Sequence, residues 1–332
     1  MTPTRFTFAV SSYDHVRAVV DGKIPIEGAE PLFMQLPIPE MFRRFVKYQD
    51  WDVSEVSFVK YVTMRAAGDD RITAIPVFPS RMYRHTSIYV RADRVHRPED
   101  LAGGRVGIPE WTNSAGVWAR GLLADMHGLD AADITWYAGG IDRPGRAMVL
   151  AAPHMPPDVR VIQVEDRSLE QMLWAGDLDA VIVPNPPSSI ASSDRSGGLV
   201  RRLFTDAQAA ERAYWEKTNC LPIMHVVAIS RRLLDRAPGI AARIYKALDT
   251  ARAEYFDRLL DPDVSRVPLP WIGEHLESLG RDPWPYGVEA NRATIECLLR
   301  YGRTQGLLAD RLEPADLFGE WSRLCGYHSR SR

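Results

Sequence analysis

The stretch from Ile75 to Val90, "IPVFPSRMYRHTSIYV", places two guanidiniums and an imidazole between two apolar runs. Ala74–Phe78 reads as a strand and "SIYVRA" as another, so Pro79, Ser80, Arg81, Met82, Tyr83, Arg84 and His85 form the connection. A guanidinium grips a carboxylate through two parallel hydrogen bonds, and an imidazole changes charge near neutrality. Such a set could bind an acid and move a proton. A solvated loop is the plain alternative, because connections are usually polar surface. Polar groups collect at the ends of other apolar runs too. They are Ser11 to His15 (with Ser12 and Asp14), Glu55 and Ser57, Glu110 to Ser114, Asn185, and His225 at the start of a run.

The elements that would position these groups alternate. "RFTFAV" (5–10), "PLFMQL" (31–36), "ITAIPVF" (72–78), "RVGIPE" and "MHVVAIS" (224–230) read as strands. "IPEMFRRFVKY" (38–48) reads as a helix, with Pro39 in its first turn and Met41, Phe42, Phe45 and Val46 on one stripe. Thr112, Asn113 or Ser114 can cap a helix that runs to His127 and stops at Gly128. Ser168-x-x-Gln171 is a capping box. From Arg231 onward the pattern is almost entirely helical. This alternation predicts an α/β architecture in two blocks. In open α/β sheets ligands bind beyond the carboxyl ends of strands, and two such sheets facing each other would make a cleft.

The 332 residues suffice for two lobes with sizeable cores. A net charge of −2 gives no sign of a nucleic-acid or membrane-surface protein. Of 41 basic residues only five are lysines, so most are planar forks suited to carboxylates. Cys220, Cys297 and Cys325 are odd in number and far apart, which argues against a disulfide framework or a zinc site. The eight histidines show no ligand spacing, so no metal is expected. There is no Walker A, HExxH or CxxC text; "AGGRVG" precedes a strand and fails as a dinucleotide fingerprint. Ser57-x-x-Lys60 lacks the companion motifs of serine hydrolases. The N-terminal text runs directly into a strand with no basic-then-apolar leader, and no 18-residue apolar span occurs, so a cytoplasmic protein is expected.

Several stretches carry a more specific signal. "WDVSEVS", "IPVFPSRMYRH", "LAGGRVGIPEW", "VWARGLL", "LPIMHVVAI", "DPWPYGVEANR" and "YGRTQGLL" together resemble the 4,5-dihydroxyphthalate decarboxylase family, from about residue 6 to 320. The resemblance implies a type II periplasmic-binding-protein-like fold: two α/β lobes with a cleft between them and a helical C-terminal region. "SIYVRA" and "HVVAIS" are then the expected hinge strands. They put residues 1–88 and 226–332 in one lobe and 89–225 in the other. The chain departs from the family pattern at Ser11–Val16, where an aspartate-rich start is expected, and at Asn185. The substrate could therefore differ while the chemistry is kept.

The implied chemistry is non-oxidative decarboxylation of a hydroxylated aromatic acid, as in phthalate degradation, with no cofactor because the ring is the electron sink. It needs a base near a hydroxyl, an acid near the ipso carbon and cations for a spectator carboxylate. Arg81 and Arg84 suit the cation role, and His85 and His225 suit proton transfer. Glu55, Asp14 or Glu110 could accept a phenol proton or orient a histidine. Ser12, Ser57, Thr112, Asn113, Arg120 and Asn185 complete the expected binding set, and Trp111 or Tyr83 could stack on a ring. Plainer roles compete: Glu55 as a helix cap, Glu110 in an ion pair, His225 and Trp111 in the core. Arg120 could be a buried clamp or an exposed side chain. The expected partner is a small aromatic acid, with self-association possible. A solute-binding protein without catalysis is the main alternative, and an enzyme acting on a pyrimidine or thiamin precursor is another.

Overall fold

A computed structural model describes residues 2–146, 152–189, 198–261, 282–309 and 311–324. Cys325 and part of the expected helical C-terminal region lie outside these residues. Tertiary contacts divide the chain into two units, Met1–Ser80 with His225–Arg292 and Glu313–Arg332, and Arg81–Met224 with Ala293–Leu312. The expected lobe boundaries were 88/89 and 225/226. The divisions fall instead at 80/81 and 224/225, and residues 293–312 group with the second unit.

The first unit holds a five-stranded sheet. Its strands are β1 (Thr4–Ala9), β2 (Ala29–Met34), β3 (Val53–Ser57), β4 (Ile72–Arg81) and β11 (Ile223–Ser230), in the order β2-β1-β3-β11-β4. β1 is parallel to β2 and β3, while β11 runs antiparallel to β3. β11 is buried along almost its whole length, as an inner strand with both faces covered must be, and His225 is its one partly exposed residue. Helix α1 (Arg17–Val20) follows β1. Helix α2 (Ile38–Tyr48) spans the predicted residues and buries Met41 and Phe45. Helix α3 (Phe58–Ala66) starts directly after β3, capped by the Ser57 side chain.

The second unit holds a six-stranded sheet. Its strands are β5 (Ile88–Arg91), β6 (Arg105–Ile108), β7 (Thr135–Ala138), β8 (Arg160–Gln163), β9 (Ala180–Ile182) and β10 (Val200–Arg202), ordered β10-β5-β9-β6-β7-β8. Its helices include α4 (Ser114–His127), α5 (Leu169–Ala175) and α6 (Ala207–Thr218). Asn113 caps α4 by accepting from two backbone N–H groups, and Gly128 ends it at φ 64°. Ser168 and Gln171 form the expected capping box of α5. Helices α7 (Arg231–Arg236), α8 (Ile240–Leu260) and α10 (Pro314–Leu324) belong to the first unit, and α9 (Arg292–Thr304) contributes all but its first residue to the second.

What ties α9 to the second unit is close packing. The Tyr301 ring stands edge-on to Trp118 at 5.5 Å. Its hydroxyl bonds Asp125 at 2.5 Å and Tyr214 at 3.1 Å. A methyl group on Gly121 would sit 2.2 Å from that ring. Gly121→Ala gains up to about 1 kcal/mol of helix propensity. A ring held by two hydrogen bonds cannot yield, and overpacking costs about 1–3 kcal/mol. The variant is expected to unfold at lower denaturant concentration than the parent; an unchanged midpoint would show that α9 does not depend on this contact.

Candidate active site

The β3–β11 register brings an acid and an imidazole together. Ser57 pairs with His225 and Glu55 with Val227. Side chains alternate along a strand, so Glu55, Ser57, His225 and Val227 share one face, with His225 diagonal to Glu55. A slip of one residue would send the two groups to opposite faces. In the observed register His225 Nδ1 lies 2.5 Å from Glu55 Oε1. The turn after β1 completes the carboxylate's shell. Tyr13 donates to Oε1 at 2.5 Å, and the Ser11 backbone N–H donates to Oε2 at 2.9 Å. Tyr13 Oη and His225 Nδ1 are 3.2 Å apart. Phe42 of α2 meets the imidazole at 4.8 Å, edge to face.

Glu55 is fully buried. Burial alone would push its proton affinity up. The hydrogen bond and charge of His225, then Tyr13 and the Ser11 N–H, outweigh it and hold the carboxyl below the usual glutamate range. Burial first, and the Glu55 charge second, push the Tyr13 phenol far above its ordinary value, so it serves as a donor. With Nδ1–H directed at Glu55, the second ring nitrogen of His225 has no partner among the described residues.

In the second unit Arg84 is buried, and its contacts are uncharged: Met224 Sδ at 3.1 Å, and longer ones to Ser87 Oγ at 3.4 Å and the Pro184 carbonyl at 3.4 Å. Burial lowers its pKa to about 10, and no carboxylate pairs with it among the described residues. A buried guanidinium without an anion is costly, so the position suits an anionic ligand. Arg81, at the end of β4, is also buried and donates to the Leu221 carbonyl at 3.4 Å.

The other expected residues are placed as follows. His85 sits among Phe204 at 5.0 Å, Tyr214 at 5.8 Å and Tyr83 at 6.2 Å, and its Nδ1 has no partner among the described residues. Burial, then His127, pushes its pKa down to about 4, so it is neutral at pH 7. Arg120 is buried in α4, stacked 3.9 Å over Trp111 and bonded to Gln305 at 2.8 Å and the Trp111 carbonyl at 2.6 Å. Trp111 is wholly buried and donates to the Gln305 carbonyl. Both are core residues of the second unit. Asn113 and Ser57 are helix caps. Glu110 and Thr112 are half-buried after β6, while Ser12, Asp14 and Asn185 are exposed, Asp14 lying 3.6 Å from Arg17. The residue that sequence reasoning passed over is Tyr13. It lies inside the polar stretch Ser11–His15, but a tyrosine beside two serines and an aspartate gave no signal of its own. Among the described residues no cluster of three or more His, Cys, Asp or Glu is placed to hold a metal, and no helix is long and apolar enough to cross a membrane.

The depressed pKa of His85 has a stability consequence with a definite sign. Below pH 6.5 the unfolded chain takes up a proton that the folded chain refuses until about pH 4, so stability falls across that window. His85→Phe keeps an aromatic ring in the pocket and removes the proton. Its loss of stability between those pH values is expected to be shallower than the parent's in urea melts; parallel curves would mean that His85 is not held neutral.

No family model matches the chain. The 4,5-dihydroxyphthalate decarboxylase of Comamonas testosteroni is 36% identical over 324 residues, 96% of this chain and 97% of its own. The enzyme of that name from Pseudomonas putida is 40% identical over 212 residues, 63% of this chain and 81% of its own. Among solved structures, the alkanesulfonate-binding protein SsuA of Xanthomonas axonopodis pv. citri aligns with a TM-score of 0.52 at 16% identity, covering 96% of this chain and 98% of its own. The periplasmic aliphatic sulphonate-binding protein SsuA of Escherichia coli aligns with a TM-score of 0.52 at 14% identity, over 95% and 91%. These likenesses show a periplasmic-binding-protein-like fold. The near full-length match to the Comamonas enzyme shows the rest: the chain belongs to the 4,5-dihydroxyphthalate decarboxylase family.

Proposed function

We propose that the protein is a carboxy-lyase for a hydroxylated aromatic acid, with 4,5-dihydroxyphthalate the first candidate. The carrying observation is the buried Glu55–His225 pair, which holds an imidazole in one tautomer with its outer nitrogen unengaged. Family membership supports the reaction class.

In such a substrate one hydroxyl is para to the departing carboxylate. Loss of the phenolic proton sends electron density to the ipso carbon. A proton is added there, the carbon–carboxylate bond breaks, and its electron pair returns to the ring as carbon dioxide leaves. The net change is one proton gained and one carbon dioxide lost; 4,5-dihydroxyphthalate would give 3,4-dihydroxybenzoate. The ring itself is the electron sink, so the reading requires no cofactor. His225 is the proton carrier, oriented by Glu55. His85 is the less suitable carrier because burial keeps it neutral. Arg84, with Arg81 beside it in the chain, holds a carboxylate through its planar fork. A cytoplasmic location is part of this reading, and cell fractionation checks it.

The test is ultraviolet absorbance and carbon dioxide release with a panel of hydroxyphthalates and hydroxybenzoates. Turnover of a substrate carrying a para hydroxyl is expected; a thermal shift without turnover would favour a solute-binding role. His225→Gln is expected to lower kcat by about 10²–10⁴-fold, the usual contribution of acid–base catalysis. If it retains parental kcat, the proton is carried elsewhere. Arg84→Lys is expected to raise KM by roughly 10- to 100-fold, since an ammonium cannot reproduce a two-pronged charge-assisted contact. An unchanged KM would remove Arg84 from substrate binding.

A further inference from the structure

Tyr13 touches the Glu55–His225 pair at its most sensitive atom. The phenol donates to Oε1, the oxygen that also faces His225 Nδ1. Two donors therefore share one oxygen, while Oε2 is taken by the Ser11 backbone N–H. The ring is held for this task. Behind it His15 packs at 5.6 Å, itself against Trp284 at 5.3 Å and Phe256 at 6.1 Å.

We propose that Tyr13 is a positioning residue that sets the proton affinity of His225 by competing for the charge of Glu55. The inference rests on reading His225 as the proton carrier. A lone buried carboxylate would bind the imidazolium so firmly that the proton would be slow to leave for carbon. Sharing Oε1 with a phenol weakens that hold while keeping the carboxylate ionised. Other titratable groups near His225 do not take this role. On β3, Ser57 is uncharged and occupied as a helix cap. β4 carries no titratable side chain before Arg81 at its end, and Arg81 donates to the Leu221 carbonyl. α2 presents Phe42, and its Arg44 is paired with Glu40 and Asp50. His15 packs against the Tyr13 ring at 5.6 Å.

The direction of the effect follows from the geometry. Tyr13→Phe removes a short donor to the carboxylate and a longer, weaker acceptor of Nδ1–H, at 2.5 and 3.2 Å respectively. The donor dominates, so Glu55 binds His225 more tightly and the imidazolium pKa rises. A hydrogen bond to a charged group of this kind corresponds to an upward shift of about one unit. Replacing Tyr13 site-specifically with 3-fluorotyrosine makes the phenol a stronger donor and should move His225 the other way.

The experiment is an NMR titration of the His225 ring in the free, full-length protein, the resonance being identified by its loss in His225→Gln. An upward shift in Tyr13→Phe and a downward shift with fluorotyrosine are expected. The basic limb of the kcat–pH profile should move in step, and kcat should fall about tenfold in Tyr13→Phe. A purely structural role would lower activity without moving the titration. His225 titrating alike in the parent and both variants overturns the proposal. If Tyr13→Phe fails to fold, the fluorotyrosine protein, which keeps the phenol, decides alone. Should His225→Gln retain full turnover, the catalytic reading fails while the titration still decides whether Tyr13 tunes His225.

Discussion

A carboxylate with no exposure to water governs the first unit. An ionised glutamate in that position would be expelled or neutralised unless its lone pairs were filled. Two segments distant in sequence supply three donors: the turn after β1 through Ser11 and Tyr13, and β11 through His225. None of these donors is useful alone. The parallel pairing of β1 with β3 sets where the turn passes Glu55, and the antiparallel pairing of β11 with β3 sets which face His225 takes. The sheet order is therefore also the site's wiring, and the carboxylate is a strong constraint on register.

The second unit presents the converse problem. Arg84 is a buried cation whose neighbours are a thioether, a hydroxyl and a carbonyl. Arg120 is a buried cation too, but it is fixed as scaffold: it lies flat on Trp111 and bonds to Gln305 and to the Trp111 carbonyl, while its Nη1 has no partner among the described residues. The contrast separates two arginines that look alike in composition. One is locked into the core by short hydrogen bonds and an aromatic face, and the other has a thioether contact and two long hydrogen bonds; neither has a counter-ion among the described residues.

Much of this was legible in the sequence because it is local. Helix α2, the Asn113 and Ser168 caps and the Gly128 stop all rest on neighbours within a few residues, and they form where the pattern places them. Glu55 and His225 were visible as polar interruptions of apolar strands. Tyr13 was not, because its meaning lies in a contact with Glu55, 42 residues away. Ser12 and Asp14, chemically more suggestive, point to solvent. The placement of residues 293–312 was hidden for the same reason: it depends on a glycine in α4 that leaves room for a tyrosine in α9. The environment of His85 depends on Phe204 and Tyr214, more than a hundred residues downstream in the chain, and turns a residue that reads as a proton carrier into a neutral one.

The central claim is that Glu55 remains a charged carboxylate inside the protein because His225, Tyr13 and Ser11 hold it so. Carbon-13 NMR of the glutamate side-chain carboxyls, followed against pH with Glu55 identified by its loss in Glu55→Gln, measures this directly. The account predicts a Glu55 resonance that stays in the ionised range as pH falls below the point where ordinary glutamates have titrated. A Glu55 that takes up its proton at or above the ordinary glutamate value would contradict it: burial would have won, and a neutral acid would be left facing the imidazole.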